Sequence, residues 1–233
     1  MRLTARRARR VVTDSVASRD QLIARLDIDP AKVRAIYPGA DHLASVAPGK
    51  ADLGLPHTYA LFVGQTEPHK NVGLLIDAWR AGVPVGLHLV ICGPGGRDDG
   101  RLRLMVAQSG LGDKVHFTGA LTDVDLARVY ADAHLFLLPS LAEGFGFPPL
   151  EAMARGVPTA VSDIDSLVEV TRDGALQFDP RDPAGLARLV TQMSDDSQLR
   201  SHLSSAGRRV AGTYRWADTA AAIWEEVRHA VAD

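Results

Sequence analysis

His134-Leu-Phe-Leu-Leu-Pro-Ser-Leu-Ala-Glu143-Gly-Phe-Gly-Phe-Pro-Pro-Leu-Glu151-Ala-Met-Ala-Arg155 is the stretch on which the fold turns. Its first five residues are apolar enough for a strand buried on both faces, and turn residues stop it at Pro139. A loop broken by Gly144 and Gly146 runs into Pro148-Pro149 and then a helix-like segment, Leu150 to Arg155. Strand, glycine loop and helix in that order make a βα connection, the place where open α/β sheets bind ligands.

The same alternation extends in both directions. Apolar runs at Tyr59–Val63, Leu87–Cys92, Val115–Thr118, Val157–Val161 and Ala175–Phe178 read as further strands. Amphipathic stretches lie between them, such as Val72–Arg80 with Leu74, Leu75, Ala78 and Trp79 on one face, and Asp123–Ala131 with Leu126, Val129 and Tyr130. The expected fold is α/β, a Rossmann-like parallel sheet with helices on both faces. Loops 64–71, 93–96 and 139–147 then share the carboxyl end of the sheet and converge on one crevice. From Pro183 the chain reads as helices, ending in Trp216–Val231, where Trp216, Ala220, Ile223, Trp224 and Val227 recur at helical spacing and are expected to pack.

The loop between the two glutamates suggests its own chemistry. Helix N-termini carry unpaired N–H groups and partial positive charge, so a diphosphate can rest on the amides of Gly144, Phe145, Gly146 and Phe147, whereas Pro148 and Pro149 have none to offer. Glu143 lies before the loop and Glu151 is expected in the first helical turn, each able to accept hydrogen bonds from a different sugar of one nucleotide-sugar. Lys70, in Gly64-Gln-Thr-Glu-Pro-His-Lys-Asn71, would face the same crevice and is the expected diphosphate cation; His69 is a weaker candidate. A pair of carboxylates can also serve glycoside hydrolysis, but that requires them to face each other across one bond. Flanking a phosphate loop suits transfer better.

Residues 138–158, with their Glu-x7-Glu pattern, resemble the donor signature of retaining family 4 glycosyltransferases (glycosyl transferases group 1), which have the GT-B fold. The resemblance implies that Glu143 contacts the transferred sugar and Glu151 the ribose, and that retention is achieved without a secure covalent nucleophile. It places Gly64, Gln65 and Lys70 at the diphosphate, with Gln65 where the family commonly has a basic residue. It also places Leu121, in Val115-His-Phe-Thr-Gly-Ala-Leu121, at the nucleobase. Glu67-Pro-His-Lys-Asn71 together with the Glu143 loop is similar to members that use GDP-mannose, favoured here over a UDP-sugar. Arg9-Arg-Val-Val-Thr-Asp-Ser15 and Val33-Arg-Ala-Ile-Tyr-Pro-Gly-Ala-Asp41 are similar to the end of the family's N-terminal domain. The expected layout is therefore a remnant of the acceptor domain at 1–41, a linker at 42–58 and a nucleotide-sugar-binding Rossmann-like domain at 59–233. A companion chain supplying the acceptor domain, or self-association through 1–41, is expected, with disorder before about Ala31 as the other outcome. Two other classes stay open: a catalytically silent nucleotide-sugar-binding module and a different nucleotide enzyme on this fold.

In the first fifty residues, Val11–Thr13 and Val33–Ile36 read as short strands and Ser18 with Gln21 as a capping box opening a helix through Leu26. The chain has 233 residues and a net charge of −2, which gives no sign of a nucleic-acid partner. Arg2, Arg6, Arg7, Arg9 and Arg10 form a basic cluster suited at most to peripheral contact with a membrane, and no transmembrane run is present. The single Cys92 reads as a small buried apolar group and fits a cytoplasmic location. Asp123-Val-Asp125 and Asp163-Ile-Asp165 have the Asp-x-Asp form of a metal site but are expected to cap helices. No metal or cofactor is expected beyond the nucleotide-sugar substrate.

Overall fold

The computed structural model describes residues 2–232. Six parallel strands form the main sheet: β3 (Tyr59–Val63), β4 (His88–Cys92), β5 (Val115–Gly119), β6 (Leu135–Leu138), β7 (Thr159–Ser162) and β8 (Ala175–Phe178). Their spatial order is β5-β4-β3-β6-β7-β8, so the order reverses between β3 and β6. A crevice opens at such a reversal, outside the carboxyl ends of the two strands that flank it. The apolar runs were legible because these strands are covered on both faces: Leu61, Phe62, Leu135, Phe136, Leu137 and Leu138 are fully buried. Helices α4 (Gly73–Ala81) and α9 (Pro183–Asp195) pack together, as do α7 (Phe147–Ala154) and α10 (Ser197–Ala211).

Several boundaries differ from expectation. α7 begins at Phe147, three residues earlier than the segment read from Leu150, because Pro148 and Pro149 occupy its first turn, where a missing N–H costs nothing. Glu151 is therefore the fifth residue of the helix rather than a first-turn residue. In α6 (Asp123–Asp132) the cap is Thr122, whose hydroxyl accepts from Asp125 N, with both aspartates inside the first turn. Asp163 caps nothing: Ile164 precedes α8 (Asp165–Thr171) without a side-chain cap.

Ahead of the sheet, β1 (Val11–Thr13) and β2 (Val33–Ala35) pair in parallel, Val11 opposite Val33. The 11-residue helix α2 (Val16–Leu26) joins them, and Leu26, Ile28 and Val33 gather a small apolar cluster of their own with Ala5, Val11, Leu22 and Ile23. The two strands thus pair with each other, though Val12 stays 43% exposed. The α2 cap is Ser15, not Ser18: the Ser15 side chain accepts from Ser18 N at 3.0 Å.

The closing helix α11 (Trp216–Ala232) packs through Thr219, which donates to Tyr37 O at 2.8 Å, and Glu226, 3.3 Å from Arg34 Nε. Of its tryptophans, Trp216 packs at the start of the helix, its ring stacked 6.4 Å from Phe147 although 44% exposed, whereas Trp224 is 61% exposed and turned away from the buried Thr219–Glu226 face. The basic cluster is partly taken up here, with Arg9 donating to Ala230 O at 2.8 Å and Arg10 3.9 Å from Glu226; the side chains of Arg2 and Arg6 lie outside the described residues. Among the described residues no helix is long and apolar enough to cross a membrane.

Candidate functional site at the sheet reversal

The loops after β3 and β6, which flank the reversal, are joined to each other. Leu141 N donates to His69 O at 2.8 Å, and Asn71, at φ 54, donates from Nδ2 to Pro139 O at 3.1 Å. The loop after β4 closes onto the β3 loop: Gly96 N donates to Thr66 Oγ1 at 2.7 Å, and Arg97 pairs with Glu67 at 2.6 Å, holding that carboxyl below the usual range. Gly93 has to be glycine, since at φ 138 a Cβ would stand 2.3 Å from Gly64 O. Gly93 N in turn donates to Gly119 O at 3.0 Å, which brings the end of β5 and the half-buried Leu121 beyond it to the same edge. Gln65 is exposed at the β3 loop and Gly64 N donates to Cys92 O at 2.9 Å.

Lys70 and Glu143 meet in this crevice. Lys70 Nζ lies 2.7 Å from Glu143 Oε1, and Ser140 Oγ donates to that same oxygen at 2.6 Å. Both charged side chains are mostly buried, 17% and 11% exposed, so their attraction is screened less than that of a surface pair. Beyond Glu143 the chain turns at Gly146 (φ 93), where a side chain would run into Leu167. Among the described residues no protein acceptor engages the amides of Gly144, Phe145, Gly146 or Phe147. N–H groups left without a partner at the start of a helix are able to receive an anion.

Glu151 faces a second set of partners. Tyr130 OH donates to its Oε2 at 2.7 Å, and His42 Nε2 lies 3.3 Å from its Oε1. The tyrosine hydroxyl is pushed well above its ordinary pKa by burial first and by the Glu151 charge second, so it stays a donor. His42 comes from the short helix α3 (Asp41–Ala44), and its ring sits edge-on to Phe147 and Trp216. The two glutamates thus project from one loop-helix unit toward different polar neighbours. Ser140, Tyr130 and His42 were missed from sequence. Only Ser140 left a trace, standing three residues before a glutamate as in a capping box.

Residues 50–210 match the model of the family described as glycosyl transferases group 1. The chain belongs to this family. It is 33% identical over 250 residues to a D-inositol 3-phosphate glycosyltransferase of Salinispora arenicola, covering 97% of this chain and 56% of that protein. With an O-antigen chain mannosyltransferase B of Escherichia coli it shares 34% identity over 162 residues, 68% of this chain and 42% of the relative. Among solved structures, Anabaena HepE in complex with UDP and glucose superposes with a TM-score of 0.85 at 21% identity, over 97% of this chain and 64% of that one. The chain spans about half the length of the curated relatives it matches.

Proposed function

We propose that the crevice is the donor site of a retaining, family 4 hexosyltransferase, to which this chain contributes the nucleotide-sugar half. The observation that carries the reading is the Lys70–Glu143 pair set beside four unengaged loop amides at the sheet reversal. In this reading the diphosphate rests on the amides of residues 144–147 and on Lys70, with Gly64 and Gln65 alongside. Glu143 holds the hydroxyls of the transferred hexose, Glu151 the ribose, and Leu121 packs on the base. The anomeric carbon–oxygen bond to the β-phosphate breaks, the acceptor oxygen bonds to that carbon on the same face, and the acceptor proton passes to the departing phosphate. Lys70 and the amides neutralise the charge that develops on it, so no metal is called for.

Mannose is the favoured sugar, supported by the mannosyltransferase among the relatives, and GDP the favoured base, supported by the Glu67–Asn71 pattern; HepE, bound to UDP, makes UDP the alternative. The acceptor side belongs to a companion or longer chain, or to a partner engaged through residues 1–41. A cytoplasmic location fits a nucleotide-sugar substrate. Calorimetric titration of GDP, UDP and ADP into the chain and its Glu151→Ala variant tests the site. Binding of one diphosphate, weakened by the substitution, supports the reading, and equal affinity for both proteins refutes it. Binding without sugar transfer in the presence of any acceptor domain would favour a silent nucleotide-sugar module.

A further inference from the structure

The segment before the sheet reaches the donor loop directly. Ser15 is completely buried and its hydroxyl is used twice: Oγ accepts from Ser18 N at 3.0 Å as the cap of α2, and its proton goes to Gly144 O at 2.7 Å. Ser18 Oγ donates to the same carbonyl at 3.3 Å. In a planar trans peptide, C=O and the following N–H point in opposite directions. A Gly144 carbonyl tethered to α2 therefore turns the Phe145 amide away from α2. That amide is one of the four without a protein acceptor among the described residues.

The tether is itself anchored. Glu169 on α8 accepts from Val16 N at 2.7 Å, Ala17 N at 2.9 Å and Tyr37 OH at 2.7 Å. With Ser15 taking the Ser18 amide, the first three donors of α2 are all engaged, so this helix start is a structural joint and not a second anion cradle. The contact is also close on the other side: a Cβ on Gly144 would stand 2.5 Å from Asp14 Oδ2. α2 is pressed against the loop where a side chain would force the two apart.

We infer that Ser15, assisted by Ser18, is a positioning residue of the donor loop, orienting the Phe145 amide for the anion through the Gly144 peptide. This rests on the donor reading above for what the amide binds, but not for how the amide is held. The test uses the full chain with Ser15→Asp, which keeps a cap acceptor but has no proton for Gly144 O, and Ser15→Thr, which keeps both. The readouts are the Phe145 amide resonance by NMR, the melting temperature, and the affinity for GDP, UDP, ADP and inorganic pyrophosphate. Ser15→Thr is expected to match the wild type. Ser15→Asp is expected to move the Phe145 resonance and weaken the bound diphosphate about tenfold, the scale of one charge-assisted hydrogen bond. An unmoved Phe145 resonance in a folded Ser15→Asp protein overturns the inference. If no diphosphate binds the wild type, the donor reading fails while the resonance still decides the positioning. If Ser15→Asp does not fold, Gly144→Ala replaces it: it is expected to shift Phe145, and adding Asp14→Ala, which removes the clashing atoms, to restore it. Failure of that rescue overturns the inference equally.

Discussion

Glu143→Gln is expected to have opposite effects on two ligands of the same site. In the free protein Lys70 is neutralised by Glu143, 2.7 Å away. A phosphate seated on the far side of the ammonium would lie about 6 Å from the carboxylate, close enough for the two anions to repel. With both side chains mostly but not wholly buried, an effective dielectric of about 40 is appropriate, and the repulsion is then roughly 1.4 kcal/mol, or about tenfold in affinity. Replacing the carboxylate by an amide of the same shape removes that repulsion and still leaves an oxygen for Ser140. The nucleoside diphosphate alone should therefore bind about tenfold more tightly to Glu143→Gln than to the wild type.

The sugar-bearing donor should behave otherwise. If Glu143 accepts hydrogen bonds from the hexose, the amide loses charge-assisted bonds worth about 1.5–3 kcal/mol, which cancels or exceeds the relief at the phosphate. Transfer should fall by about a hundredfold or more, since an interaction strengthened in the transition state is lost. Calorimetry with the diphosphate and with the intact nucleotide-sugar, followed by single-turnover transfer assays with an acceptor domain present, separates the two effects. A variant that loses affinity equally for both ligands would refute the argument, because the carboxylate would then neither oppose the phosphate nor act through the sugar. Increased salt should shrink the diphosphate gain, as expected of partly screened charges.

Tyr130→Phe removes the hydroxyl that Glu151 accepts and should weaken nucleotide binding several-fold, about 1 kcal/mol, with little change in melting temperature; calorimetry and a thermal scan on the same sample check it. Leu137→Ala, in the central strand β6 and fully buried, should cost about 2–5 kcal/mol of stability in denaturant titration, far more than Leu141→Ala at an exposed position. His88 Nδ1 and His116 Nε2 stand 3.0 Å apart, and burial first, then Lys114 and His116, holds His88 below its ordinary pKa. Because the folded state resists a proton that the unfolded state accepts, stability should be unaffected above the unfolded value near 6.5 and should decline as pH falls below it. His88→Gln should flatten that decline in pH-dependent melting curves, and an unchanged slope would count against the pair as its source.

What could be read from the chain follows from how far apart the interacting residues lie. The strands announced themselves because burial on both faces demands unbroken apolar runs, and Tyr59–Val63 and Ala175–Phe178 were placed to the residue. Lys70 and Glu143 were findable as residues of the connections after strands, even though 73 positions separate them, because the topology brings such connections to one edge. The helix start at Phe147 was hidden by two prolines that the first turn tolerates. The α2 cap could not be settled locally. Ser18 with Gln21 offers a complete capping box, yet Ser15 takes the role because its remaining proton meets a carbonyl 129 residues away and Glu169, more than 150 residues on, takes the two amides that follow it. A serine suited to capping is visible in sequence, whereas the distant acceptor that selects one serine over another three residues on is not. The same holds for residues 11–36: their local signals describe a small βαβ unit, and only the far partners Gly144 and Glu169 show that this unit is bonded to the loop between the two glutamates.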